Sequence, residues 1–270
     1  MKNLIYQCWA GELRDGCKYS QKLFQEYADR IGADYRLDVD PNIAGKLCDV
    51  PMYFEWLNPI CDDSFLEYDN VLTVDMDVFP VEDLQENIFN IDIGHLGVCT
   101  EPFQGKYRES TSIGGSINKT NDERWATAVT MKWGCDMPRD KDGYLKVYNA
   151  GMVVFSNKGM MQARNEWVPF QEYINYMRGQ GLGRFYTVDQ NYMHAMMCAT
   201  DCNYTEMHNG WNHYVHEIRG PLAFEYPHGI NDSRDGWTRF VHCQLSGGDY
   251  FSDEKLYNIT NKPIGEWVGT

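Results

Sequence analysis

The residues best suited to chemistry sit in "VLTVDMDVFP", residues 71–80, where a largely apolar run meets Asp75, one residue intervenes and Asp77 follows. A short run of this kind, closed by Pro80, predicts a buried strand that ends at Asp75. Alternation along an extended chain would put both carboxylates on one side. Two hard oxygen ligands so placed suit Mg²⁺ or Mn²⁺, ions that combine carboxylates with the oxygens of a bound diphosphate. A plainer reading has Asp75 capping the next turn and Asp77 solvated. A strand running straight into both acids favours the metal.

Ligands in an open α/β sheet bind beyond the carboxyl ends of the strands, so the acids need such a sheet around them. Leu4–Cys8 reads as a first strand. A helix capped by Ser20 follows, with Leu23, Phe24, Tyr27, Ala28 and Ile31 on one face and Gly32 as its stop. Residues 35–39 form a second strand, "YFEWL" (53–57) a helix, and the strand into Asp75 a third. Further strands fall at 94–99, 151–155 and 238–243. Helical stretches fall at 159–178, interrupted by Pro169, and at 187–199. Residues 103–147 read as a polar insertion with one helix around Arg124–Lys132. The pattern is α/β, a single domain over 1–270 with a mostly parallel central sheet flanked by helices. In that sheet the first strand ends beside the acidic one, so Cys8, Trp9, Ala10 and Gly11 are placed to hold a nucleotide's base and ribose.

A formal charge of −15 argues against nucleic acid or an anionic membrane as the main partner. The nine cysteines are scattered, odd in number and without a CxxC pair, which reads as free thiols in a reducing compartment. The start "MKNLIYQCWAG" lacks the apolar core of a signal peptide, and no run suits a membrane span. A cytoplasmic protein is expected, in the host cytoplasm if viral. His208, His213 and His216 have only Glu206 and Glu217 near them, which is poor zinc spacing; a loop around a packed Trp211 is expected instead.

Five stretches, in order, resemble segments of the GT-A glycosyltransferases, and within them the family 8-like group of glycogenin and bacterial galactosyltransferases. They are "YDNVLTVDMDVFP" (68–80), "YNAGMVVFS" (148–156), "TVDQNYMHAMM" (187–197), "MHNGWNHY" (207–214) and "RFVHCQLSGG" (239–248). The resemblance implies a Rossmann-like GT-A domain, with 1–100 as the nucleotide-binding half and 101–270 as the donor-sugar and acceptor half. It implies metal-dependent transfer from a nucleotide sugar, a UDP-sugar favoured, to the hydroxyl of a glycan or other acceptor. Asn149, Ala150 and Gly151 would line the donor with Asp75 and Met76, and Asp189 and Gln190 would stand beside the anomeric carbon. His242 would join Asp75 and Asp77 on the metal, and a nitrogen ligand favours Mn²⁺ over Mg²⁺. The sequence departs from the group after His242, where "CQLSGGDYF" has no Lys or Arg.

Two of these segments also have plain readings. Thr187 and Gln190 have capping-box spacing, with Asp189 favouring the helix dipole. A lone histidine such as His242 is ordinarily a core residue. No residue of the tail stands out as the general base of an inverting displacement, and the Asp189-Gln190 pair resembles retaining members, so retention is expected. Two other functions compete. In a HAD-type phosphatase Asp75 would be a nucleophile, but that motif usually opens its domain, and here a long stretch precedes it. A nucleotide-sugar-binding protein without turnover is the other, against which the intact Asp75, Asp77 and His242 speak.

Overall fold

A computed structural model of the protein describes residues 1–49, 51–101, 104–110, 112, 115–216, 237–244 and 252–262. The chain runs β1 (Asn3–Trp9), α1 (Asp15–Ile31), β2 (Asp34–Val39), β3 (Asn70–Val74), β4 (Val78–Pro80), β5 (Leu96–Thr100), α2 (Gln104–Ser110) and α3 (Lys119–Trp133). It continues through β6 (Tyr148–Ser156), α4 (Asn157–Glu166), α5 (Phe170–Gly179), α6 (Asp189–Ala199), β7 (Tyr204–Glu206), β8 (His213–His216), β9 (Phe240–Gln244) and α7 (Asp253–Asn261).

The main sheet has the order β2-β1-β3-β6-β5-β7. β1 pairs in parallel with β2 and β3, and β5 with β7, while β6 is antiparallel to both its neighbours. Every strand but β6 therefore runs the same way, and the sheet is mostly parallel, as expected. Alternate residues feed two apolar layers. Leu4, Tyr6, Val71, Val153 and Phe155 face one; Ile5, Leu72, Met152 and Val154 face the other. Burial on both faces is why β3 and β6 read as continuous apolar runs.

The reversal of β6, which the sequence did not signal, has a consequence for the site. It brings the start of β6, Asn149 and Gly151, to the edge where the parallel strands end. A second sheet, ordered β4-β9-β8, lies beyond that edge. Phe79, Val215, Val241 and Leu256 tie it to α1 and α7 in a small apolar cluster with Tyr19. This sheet carries the late segment of the chain back to residues 75–77.

Several local expectations are corrected. α1 starts at Asp15, five residues before Ser20, which is buried inside it. The Ser20 hydroxyl donates to Val78 O at 2.7 Å and accepts from Gln7 Nε2 at 3.0 Å, so it cross-links strands rather than capping a helix. Gly32 does end α1, in the left-handed conformation with φ 69°. The "YFEWL" segment forms 3₁₀ turns, Pro51–Tyr53 and Glu55–Ile60, because Pro59 removes an amide donor and disfavours helix at Asn58. The insertion carries two helices, not one, and α2 is locked to α3 by a buried Arg108–Asp122 ion pair at 3.3 Å. No disulfide joins any of the nine cysteines, and no helix among the described residues is long and apolar enough to cross a membrane. Glu217 and residues 245–248 of the last resembling segment lie outside the described residues.

Candidate functional site

Asp75 and Asp77 do reach one side, but through a turn rather than through strand alternation. β3 ends at Val74, and Val78 N closes the turn on Asp75 O at 3.3 Å. Asp75 N donates to Gly151 O at 2.9 Å and Cys243 N donates to Asp77 O at 2.8 Å, so the turn is held by both sheets. Ligand atoms of Asp75, Asp77 and His242 all lie within 4.8 Å of one another, the only such group among the described residues.

His242 stands in the middle of β9, opposite Val78. Its Nδ1 is 3.0 Å from Asn212 Oδ1, and its Nε2 is 3.3 Å from Asp77 Oδ1 without a hydrogen bond. The Asn212 oxygen can only accept, which puts the ring proton on Nδ1 and leaves the Nε2 lone pair facing the acids. Burial alone would lower this imidazole, but the Asp77 carboxylate outweighs it and the net shift is upward. Burial and then Asp77 push the Asp75 carboxyl up to about 6, with His242 pulling back. A divalent cation among the three would relieve both the repulsion and the orphaned nitrogen. Two carboxylates and an imidazole fit Mn²⁺, and Mg²⁺ less well. Gly151 makes the approach possible, since a Cβ there would collide with the His242 ring and sit 2.9 Å from both Asn149 Oδ1 and Asp75 Oδ2.

Behind this group lies a buried polar network. Asn149 Oδ1 accepts from Gly151 N and from Asn212 Nδ2, each at 2.8 Å. Its amide nitrogen donates to Glu101 Oε1 at 3.0 Å and also meets Gln190 Oε1 at 3.3 Å and the Tyr214 hydroxyl. Tyr214 stacks on the His242 ring with centroids 4.6 Å apart and donates to Glu101 Oε1 at 3.2 Å. Gln190 Oε1 also accepts from Ala150 N at 3.4 Å. The capping box does not form: Thr187 Oγ1 donates to Arg184 O at 2.8 Å inside a 3₁₀ turn, and no side chain caps α6. Gln190 is thereby left to reach β6. Asp189, the first residue of α6, accepts from Trp56 Nε1 at 2.5 Å, and burial pushes its carboxyl up to about 7.

At the ends of β1 and β3 opens a cavity of about 390 Å³. Of the residues singled out in the sequence, Cys8, Trp9, Asp75, Met76 and Asp77 line it, together with Glu55 and Trp56, which were not singled out. Ala10 and Gly11 lie just past this wall, where Gly11 turns with φ 79° and donates to Asp40 Oδ1 at 2.6 Å. Glu55 is buried and accepts from Ile43 N and Gly45 N at 3.2 and 3.1 Å, fixing the loop beside the cavity. Sequence reasoning also missed Glu101, Asn212 and Tyr214. The last two fall inside the quoted "MHNGWNHY"; Glu101 had only its place at a strand end to mark it. His208 Nδ1 accepts from Gly210 N at 3.0 Å as a turn cap, and Trp211 is buried as expected.

The fold is similar to that of solved glycosyltransferases. One involved in the glycosylation of the major capsid of PBCV-1 matches over 93% of this chain and 98% of its own, with TM-score 0.50 and 13% identity. Mouse xyloside xylosyltransferase 1, in its apo form, matches over 90% and 97%, with TM-score 0.50 and 10% identity. This chain has the GT-A fold. No protein-family model matches the sequence, and no curated protein does. Within this GT-A fold the acid–imidazole group and the cavity share the carboxyl edge of the parallel strands, where open α/β sheets receive their ligands.

Proposed function

We propose that the protein is a metal-dependent glycosyltransferase that moves a sugar from a nucleotide-sugar donor to the hydroxyl of a glycan or other acceptor. The observation that carries this reading is the Asp75–Asp77–His242 group facing a cavity whose lining acids are Glu55, Asp75 and Asp77, with no Lys or Arg among the described lining residues. Such a wall repels a bare diphosphate and accepts one that comes with a divalent cation. Asp75, Asp77 and His242 would hold Mn²⁺ or Mg²⁺, which offsets charge on the departing diphosphate. Cys8 and Trp9, with the Ala10-Gly11 turn, hold base and ribose, and Met76 lies beneath them. Asn149, Ala150 and Gly151 line the sugar, with Asp189 and Gln190 nearest its anomeric carbon.

In the transfer, the bond from the anomeric carbon to the diphosphate oxygen breaks and its electron pair leaves with the diphosphate. The acceptor oxygen bonds to that carbon, and the acceptor's proton ends on the departing diphosphate. Retention and a UDP donor follow from the resemblance of the motifs. Nine cysteines without a disulfide suit a reducing cytoplasm.

A hydrolysis screen over UDP-, GDP- and other nucleotide sugars, with Mn²⁺ and with EDTA, tests the reading. Slow donor cleavage only with the cation is expected; equal UDP or GDP affinity in EDTA and Mn²⁺ removes the metal's part. NMR of the earliest product reads the linkage, and inversion would remove the family 8-like assignment while leaving transfer intact.

A further inference from the structure

The carboxyl edge of the main sheet holds a second cavity, of about 440 Å³, on the far side of β6. Thr100 and Glu101 wall it at the end of β5, and Glu206 at the end of β7. The first cavity lies over β1 and β3, so the Asp–His group and Gly151 stand between the two. Glu101 belongs to both sides. Its Oε1 accepts from Asn149 Nδ2 and Tyr214 OH, which touch the metal group's own partners, while the residue also lines the second cavity.

We propose that this second cavity is the acceptor subsite and that it takes a neutral saccharide, one of whose non-reacting hydroxyls donates to Glu101. The proposal rests on the glycosyltransferase reading. Transfer requires nucleotide, cation, donor sugar and acceptor to lie in that order, because the acceptor oxygen bonds the carbon that the diphosphate leaves. The two cavities with the metal group between them supply that order along one sheet edge. The volume lies in the range of small-ligand sites.

The charges of the wall select the ligand. Lys146 is paired with Glu206, Nζ to Oε1 2.7 Å. Asp140 Oδ1 accepts from the N–H groups of Asp142 and Tyr144, both at 2.9 Å. Glu101, Asp140 and Asp142 then remain against Lys106 and Lys141, one negative charge in excess. An anionic acceptor meets three carboxylates there, and a cationic one two ammonium groups. Sugar hydroxyls, each both donor and acceptor, satisfy both kinds.

The test uses Lys141→Trp and Asp142→Trp, two exposed positions where an indole narrows the cavity. Donor hydrolysis and transfer are measured in one reaction with Mn²⁺, using p-nitrophenyl glucoside and galactoside as neutral probes and p-nitrophenyl glucuronide as the charged one. The expected result is an acceptor KM about tenfold higher in both variants, with a matching fall in the ratio of transfer to hydrolysis. The wild-type protein is expected to prefer the neutral probes. Unchanged acceptor KM in both variants overturns the proposal, as does preference for the glucuronide, or hydrolysis without transfer to any neutral probe. Wild-type protein that cleaves no nucleotide sugar at all gives a different result: it removes the glycosyltransferase reading itself.

Discussion

His194 and His242 are buried alike, 3% and 1% exposed, and their surroundings give them opposite chemistries. Each has an Nε2 without a hydrogen bond. His194, on α6, lies 5.3 Å from the Trp125 ring and 4.6 Å from the Tyr148 ring, and burial drives its imidazole down to about 3. His242 is pulled up by carboxylates and oriented by the Asn212 amide. Burial of an imidazole makes a core residue; the acids in front and the amide behind suit it to ligate a metal. If that contrast is right, damage to the two regions must register in different measurements.

The largest effect is expected from Asp77→Asn, which removes ligand charge at nearly constant shape. Cation-dependent donor cleavage should fall by about 100-fold or more, with the melting temperature little changed because the Asp77 side chain is 40% exposed. Kinetics and calorimetry on one preparation check both halves, and an active variant removes Asp77 from the metal. His242→Gln comes next, since it keeps a polar side chain of similar reach without the imidazole. Mn²⁺-dependent nucleotide binding should weaken roughly tenfold, about 1.4 kcal/mol. The variant should also lose most of the melting-temperature rise that Mn²⁺ gives the wild-type protein. A variant that keeps that rise but melts low without metal would place His242 with His194, as packing.

How much of this was readable in the sequence depends on whether the signal was local. The strands around Leu4, Val71 and Val153 were legible because burial on both faces demands an unbroken apolar run. The stop at Gly32 was legible because only a left-handed residue fits there. The direction of β6 was not, since an apolar run carries no polarity. The start of α1 was misplaced because Ser20 resembles a cap, whereas its hydroxyl serves Val78 and Gln7 across the sheet. At the site, Asp75 and Asp77 announced themselves through the strand that ends in them. Glu101 and Tyr214 did not, because their meaning lies in what they touch on other elements. His194 and His242 each follow apolar or aromatic neighbours in sequence, and only the partner groups tell them apart.

Asp189→Asn separates the start of α6 from the Asp75–Asp77–His242 group by pH. The Asp189 carboxyl is raised by burial to about 7, from an ordinary value near 3.8. Between those values the native protein keeps a proton that the unfolded chain releases, so this group costs stability progressively as pH rises across that window. Asn carries no such cost and can still accept from Trp56. The variant should therefore melt higher than wild type at pH 8, and the gain should vanish near pH 4. A gain of equal size at both pH values would assign the effect to packing and leave Asp189 unshifted.

The smallest effect, and the sharpest check on the contrast, is His194→Phe. The phenyl ring is close to the imidazole in size and removes a buried nitrogen that no group satisfies. Deleting an unpaired polar atom from an aromatic setting is neutral or stabilising, on the order of 1 kcal/mol at most. Tyr148 offers the phenyl an edge-on partner, a geometry such rings favour, and Trp125 a tilted one. The melting temperature should stay or rise by a few degrees, while Mn²⁺ affinity and nucleotide affinity stay at wild-type values. The change could reach the site through Tyr148, which precedes Asn149 on β6, or through Gln190, one turn before His194 on α6. A fall in nucleotide affinity without a fall in melting temperature would show that β6 or α6 transmits the core's packing to the network around Asn149. The two histidines would then belong to one coupled region rather than to two.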